Sequence, residues 1–424
     1  MSLVARRKHP GMWSAASRTA SVLRGRPLAA AAFATVGIAT TGGGLAAGGV
    51  SRPVMSLGFA AEAAAAPAAV SPFARIVSYN VLSSHLCEPD HFLKCEPADL
   101  DPSTRRQRVE ELLRPHLEAD AVICLQEMSV QWVGELTPYF ERAGYTFVSG
   151  NYGNTFNGYM GCSLAWPTRR FEAEAVDIQR AADVKPWPKK ERTPTPPRLV
   201  QTWRAIKRIW KFGADPKPPF DSHAEAARRH NMLVSARLRC KKSGRTFAVT
   251  TYHMPCLFGS DPKCQVMVYH AALAAQHARA FAQGAPFVLA GDFNFKPHDA
   301  PYELLTTASL AEEHPHMPPP KPNDAWRPTI ASPLVSAYKA VDGAEPEFTN
   351  LAVTKFNKPD EPPFCETLDY IFLGEGAAAK WKATAVRPLP KRADVLPHTS
   401  SYPTATEPSD HTAIWCDLDV EDAA

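Results

Sequence analysis

VLAGDFNFKP, residues 288–297, decides the reading. An apolar run ends at Gly291, and Asp292 and Asn294 follow two residues apart. Residues i and i+2 of an extended chain face the same way. A carboxylate and a carboxamide would therefore converge on one point at the rim of a sheet. The plain alternative is a turn, because Gly, Asp and Asn all favour turns. The rest of the chain has to choose between them.

The same signature recurs along the sequence. ARIVSYNVL (74–82) has the β-branched and aromatic content of a strand and carries Asn80. DAVICLQE (120–127) is a continuous apolar run that ends at Glu127, as expected of a strand buried on both faces. FAVTTYHMP carries His253, TLDYIFL (367–373) carries Asp369, and PSDHTAIW puts Asp410 and His411 immediately ahead of an apolar strand. Each polar group has its own modest explanation. His253 could be a satisfied core histidine, Glu127 an acid near a helix start, and Asp410 a turn cap. As a set, however, they sit beside segments that should be buried, where an unpaired charge is costly. One shared site explains them better than separate accidents. Carboxylates and amides without a thiolate pattern suit a hard cation, Mg²⁺ with Mn²⁺ as a substitute. Such a site, with an Asp to take a proton and a histidine beside an Asp, has the parts for phosphoester hydrolysis.

Helices are predicted at 103–119, with Ser103 as a candidate cap, at 129–144 with an interruption near Pro138, and at 264–283. Further strands are expected at 145–149, 161–166, 171–178, 231–239, 245–252, 286–291, 382–389 and 412–420. This alternation points to an α/β or α+β layered domain.

Composition sets the bounds. The chain has 424 residues, 45% hydrophobic and 21% charged, with a net charge of +4. That is ordinary globular composition and gives no nucleic-acid signal by itself. The nine cysteines form no C-x-x-C pair, which argues for reduced thiols rather than a disulfide framework or zinc site. Prolines cluster at 185–220, 315–333 and 359–363, which are candidate loops and insertions.

Charge is unevenly placed. No acidic residue precedes Glu62, while Arg6, Arg7, Lys8, Arg18, Arg24, Arg26 and Arg52 do. Residues 1–70 therefore read as an organellar presequence, directed to a mitochondrion or alternatively a plastid, and attracted to anionic membranes. The uncharged stretch 27–49 is long enough to span a bilayer, although it is mostly Ala and Gly. The catalytic domain is then 71–424. Within it, a basic Pro/Trp-rich insertion lies at about 180–230. In RLVQTWRAIKRIWKF (198–212), Leu199, Trp203, Ile206 and Trp210 share one helix face, while Arg204, Lys207, Arg208 and Lys211 lie off it. That helix could offer a surface to phosphates and stacked bases, lie on a membrane, or simply dock its apolar face on the domain.

SYNVL, ICLQE, TTYHMP, GDFN, TLDYIF and PSDH, in this order, resemble the endonuclease/exonuclease/phosphatase superfamily over about residues 74–420. The early segment 79–109, RHNMLV (229–234) and FTNL (348–351) are most similar to its deadenylase, nocturnin and Angel branch. GNYGNTFNGYMGCSLAWP (150–167) and the basic insertion depart from that branch. The resemblance implies a deoxyribonuclease-I-like fold, an αββα four-layer sandwich of two packed mixed sheets flanked by helices. It also implies roles. Glu127 would be the principal Mg²⁺ ligand, with Asn80 beside it and Asp410 as a further ligand or supporting acid. Asp292 would activate or align water and Asn294 orient the phosphate. His411, supported by Asp369, and His253 would contact that phosphate, and Asn231 would bind substrate. The implied activity is Mg²⁺-dependent phosphodiester hydrolysis, with a 3′ exoribonuclease in an organelle as the leading reading. A phosphatase or phosphodiesterase on a nucleotide, inositol phosphate or phospholipid is the alternative. A scaffold without activity is the reading from another class, and the intact polar set speaks against it.

Overall fold

A computed structural model of the chain describes residues 72–188, 219–358 and 360–422. The presequence expected at 1–70, the apolar stretch 27–49, and Arg204, Lys207, Arg208 and Lys211 lie outside the described residues. Among the described residues, no helix is long and apolar enough to cross a membrane.

The strands in chain order are β1 (Ala74–Asn80), β2 (Val122–Met128), β3 (Tyr145–Asn151), β4 (Gly161–Pro167), β5 (Phe171–Arg180), β6 (Met232–Cys240) and β7 (Thr246–His253). They continue with β8 (Phe287–Asp292), β9 (Val335–Ser336), β10 (Asn350–Ala352), β11 (Phe364–Glu366), β12 (Asp369–Gly374), β13 (Ala379–Val386) and β14 (Ile414–Asp422). One six-stranded sheet runs β13-β14-β1-β2-β4-β3, and a second runs β5-β6-β7-β8-β12-β9. Both are mixed: β1 pairs parallel with β2 and antiparallel with β14, and β7 pairs parallel with β8.

Side-chain alternation stacks the layers. In β2, Val122 and Cys124 face the second sheet, where they join Val234, Val249, Val288 and Ile371. Ile123 and Leu125 face outward beneath two helices, packing with Val109, Leu113, Trp132, Leu136 and Phe140. The outer face of the second sheet is covered by the long helix Asp261–Ala282, whose alanines lie against Tyr252, Leu289 and Phe372. The result is the four-layer αββα order. Every residue of β8 is buried, as the apolar run at 287–291 requires. The nine cysteines are all free thiols, and most are buried as packing residues.

Two helix starts and stops differ from expectation. The helix Pro102–Glu118 is capped by Asp101, whose carboxylate accepts from the Thr104 N–H at 2.7 Å, and not by Ser103. Pro102 takes the first helical position, where a missing N–H costs nothing. The helix Val130–Arg142 is not interrupted at Pro138. Burial of Trp132, Leu136 and Phe140 on one face carries the chain through the lost hydrogen bond.

Candidate active site

Strand register brings the polar groups together. In the second sheet, Asp292 at the end of β8 lies directly opposite His253 of β7 and Asp369 of β12. In the first sheet, Asn80 ends β1 opposite Gln126 of β2, so Glu127 follows at the same rim. The two rims meet at one end of the sandwich. Gly291 permits this closeness, since a Cβ there would fall 1.8 Å from the Tyr252 carbonyl oxygen.

Asp292 is the focus. It is 1% exposed. Its Oδ1 accepts from the Asn294 N–H at 2.9 Å. Its Oδ2 accepts from Asn80 Nδ2 at 2.9 Å and faces His253 Nε2 at 3.5 Å and His411 Nε2 at 3.7 Å. Asn80 Nδ2 also reaches Glu127 Oε1 at 3.2 Å, while Asn80 Oδ1 accepts from the Leu82 N–H at 3.0 Å. Asn80 therefore joins two carboxylates with its amide nitrogen, and its oxygen is turned away from the centre.

Glu127 adopts φ +59°, a left-handed conformation that costs about 1–3 kcal/mol in a non-glycine residue. The turn aims its carboxylate inward, where Oε2 accepts from the Ser83 N–H at 3.1 Å. It does not cap the following helix; Ser129 does. Asn294 is likewise at φ +52°, with its amide on the Met254 carbonyl at 2.9 Å.

His411 is held from below. Its Nδ1 donates to Asp369 Oδ2 at 2.7 Å, and Thr349 Oγ1 donates to the same oxygen at 2.6 Å. Burial works against the imidazolium, but Asp369, Asp292 and Asp410 together outweigh it, and the His411 pKa lies well above its ordinary value. His411 thus presents a charged Nε2–H to the centre. On the opposite side, the Tyr152 hydroxyl lies 2.8 Å from His253 Nδ1. A hydroxyl donating there leaves the His253 Nε2–H to face Asp292. The Asn231 amide donates to the His253 carbonyl at 2.8 Å, so Asn231 braces the β7 rim while lining the cleft.

Donor atoms of Glu127, His253 and Asp292 lie within 4.8 Å of one another. With its Nε2–H facing Asp292, His253 offers no lone pair there, so the carboxylate oxygens of Glu127 and Asp292 are what this group presents to a divalent cation. A second group, Asp292, Asp369 and His411, is as tight, but its His411–Asp369 hydrogen bond makes it a charge-stabilised dyad. Asp410 belongs to neither group. Its carboxylate accepts from Asn350 Nδ2 at a long 3.4 Å and borders the same cleft.

The cleft has a volume of about 1000 Å³. Glu127, His253, Asp292, Asn294, Asp410 and His411 all line it. Phe258, Phe356 and Phe364 stand exposed around its mouth, and Arg228, Arg229 and His230 line the side nearest β6. Charged donors at the base can stabilise negative charge on a phosphoryl group, and apolar rings at the mouth can hold a flat or aliphatic group attached to it.

Tyr152, Ser83, Thr349 and Ser409 were not singled out from sequence. Ser409 Oγ donates to the Asn80 carbonyl at 2.7 Å, joining the loops after β1 and before β14. Thr349 sits within FTNL, so its closeness to Asp369 had a signal; Tyr152 and Ser83 had none beyond lying in Gly- and Ser-rich loops.

The model of the endonuclease/exonuclease/phosphatase family matches residues 77–411. Nocturnin of Xenopus laevis is 22% identical over 358 residues, covering 81% of this chain and 72% of that protein. 2′,5′-Phosphodiesterase 12 of Homo sapiens is 24% identical over 366 residues, covering 81% of this chain and about half, 51%, of that protein. Among solved structures, ANGEL2, described as a 2′,3′-cyclic phosphatase in complex with adenosine-2′,3′-vanadate, superposes with a TM-score of 0.58 at 18% identity. That match covers 81% of this chain and 95% of the other. The human Nocturnin catalytic domain gives 0.51 at 19%, over 82% and 93%. These likenesses establish the shared fold.

Proposed function

Because this chain belongs to the endonuclease/exonuclease/phosphatase family, and is therefore a hydrolase acting on phosphoester bonds, we propose that it is a Mg²⁺-dependent phosphodiesterase that removes nucleotides from the 3′ end of RNA. One observation carries the reading. Asp292 Oδ2 is faced by His253, His411 and Asn80 at the base of a cleft whose mouth bears exposed aromatic rings. A phosphate fits the base, and stacked nucleobases fit the mouth.

In this mechanism Asp292 takes a proton from water as the water oxygen bonds to phosphorus; the P–O bond to the 3′-oxygen of the preceding nucleotide breaks, and that oxygen leaves and takes a proton from solvent. The Asn294 N–H keeps the Asp292 carboxylate oriented. His411, charged through Asp369, stabilises the phosphoryl oxygens, and His253 does so from the opposite sheet. Glu127 would hold Mg²⁺ or Mn²⁺, with Asp410, which borders the same cleft, as a further ligand or supporting acid; the ion would supply charge neutralisation at the scissile phosphate. Arg204, Lys207, Arg208 and Lys211 would supply positive charge for RNA backbone phosphates.

A second reading has support in the relatives' names: hydrolysis of a terminal 2′,5′ or 2′,3′-cyclic ester, or of a small nucleotide. RNAs of one sequence carrying either 3′,5′- or 2′,5′-linked tails, or a 2′,3′-cyclic end, separate the two. Stepwise shortening of the 3′,5′-linked tail supports the exonuclease. Cleavage confined to the 2′,5′ or cyclic ends overturns it. The acid-free start supports a mitochondrial presequence at 1–70 ahead of a catalytic domain at 71–424. A fusion of residues 1–70 to a fluorescent protein should enter mitochondria; plastid or cytosolic signal would overturn that destination.

A further inference from the structure

Arg105 lies in the first turn of the helix Pro102–Glu118 and is 0% exposed. A buried guanidinium is costly unless its donors are met. Here Nε and Nη2 are met by backbone carbonyls. Nε donates to Pro408 at 2.6 Å, and Nη2 donates to Val81 at 2.5 Å and Leu82 at 2.7 Å. The planar group also lies over the Trp132 ring, 5.2 Å from its centroid. Nη1 has no partner among the described residues.

The three carbonyls belong to the loops that follow Asn80 and precede Asp410 and His411. Val81 and Leu82 follow Asn80; Leu82 sits at φ +53° and gives its N–H to Asn80 Oδ1. The next residue, Ser83, gives its N–H to Glu127 Oε2. Pro408 precedes Ser409, which holds both the Asn80 carbonyl and the His411 N–H. A single rigid fork therefore spans the loop that aims Glu127 and the loop that aims His411. Lysine could offer charge there but not the planar set of donors.

Resting on the phosphoester reading, we propose that Arg105 is a positioning residue for that reaction, fixing the Asn80–Glu127 side of the site against His411. It touches neither substrate nor metal. Outer partners of this kind commonly contribute ten- to a hundredfold to activity or metal affinity.

The test compares R105M and R105K with R170M as control. Arg170 also donates to backbone carbonyls, those of Pro72 and Phe73, but at the far end of β1. Turnover of bis(4-nitrophenyl) phosphate and binding of Mn²⁺ by electron paramagnetic resonance are measured on folded protein. R105M should lower kcat about 10–100-fold with KM within about threefold, and weaken Mn²⁺ binding about tenfold. R105K should show the same pattern, less severely, while R170M should lose thermal stability and keep kcat. Folded R105M or R105K with wild-type kcat and Mn²⁺ affinity overturns the proposal. So does failure of both variants to fold, or a loss shared equally by R170M. A wild-type chain that binds Mn²⁺ but shows no turnover counts against the phosphoester reading, and the Mn²⁺ comparison still decides Arg105. Wild-type protein lacking both properties overturns both.

Discussion

Three carboxylates and two histidines within one buried cluster can coexist only if protons or cations balance them. His411 supplies part of that balance, since Asp369 and its neighbours hold the imidazole protonated. Replacing Asp369 with Asn removes the main favourable charge, so His411 will deprotonate at lower pH. If its imidazolium stabilises phosphoryl charge, the alkaline limb of the kcat profile should move to lower pH, and kcat should fall about 10²-fold or more. An unmoved limb would take His411 out of that role. Glu127 is held by Asn80 and Ser83, with His253 Nε2 4.0 Å from its Oε1. Glu127→Gln should raise the Mg²⁺ concentration for half-maximal activity by about tenfold or more, leaving the melting temperature nearly unchanged. An unaltered Mg²⁺ titration would remove Glu127 from the metal shell.

At the scale of elements, the long helix Asp261–Ala282 buries His270 completely, between the Tyr252 hydroxyl and the Ala226 carbonyl. Burial lowers its pKa to about 4. The unfolded chain then binds the extra proton more readily, so stability present above about pH 6.5 is lost as pH falls toward 4. The linked loss is about 2 kcal/mol by pH 5. Urea midpoints at pH 7 and pH 5 should differ accordingly, and His270→Gln should narrow the gap; an equal gap would place the acid sensitivity elsewhere. Elements were also the most legible level of the sequence. The apolar runs 122–128 and 287–291 and the alanine-rich stretch from 264 announced themselves through hydrophobic period. The short pieces did not. The helices Ser222–Arg228, Ala300–Thr307 and Ala337–Asp342, and the strands β9 to β11, are stabilised by what they pack on rather than by internal periodicity. The site shows the same division. Asp292, His253, Asp369, Glu127 and His411 stood out because each carried polarity beside a buried run. Tyr152 and Thr349 matter through partners 101 and 20 positions away in sequence, and Arg105 through partners 23, 24 and 303 away; no local pattern encodes such pairings.

At the scale of the whole molecule, one sandwich rim gathers the chemistry, and the basic segment carrying Arg204, Lys207, Arg208 and Lys211 enters the chain between β5 and β6. If it tracks phosphates, replacing all four with Gln should weaken binding to long single-stranded RNA and reduce the slope of log affinity against log salt by as much as about 3. A mononucleotide substrate should be turned over as before. Equal slopes for wild type and variant would make the segment structural. The central claim is hydrolysis of RNA phosphodiesters at Asp292. Its most direct measurement incubates purified residues 71–424 with Mg²⁺ and a 5′-labelled RNA bearing a short oligo(A) 3′ tail, beside the Asp292→Ala protein. A ladder shortening from the 3′ end, absent in a folded variant that still binds the RNA, is the predicted result. Intact RNA in the wild-type lane, or equal cleavage by both proteins, would contradict it.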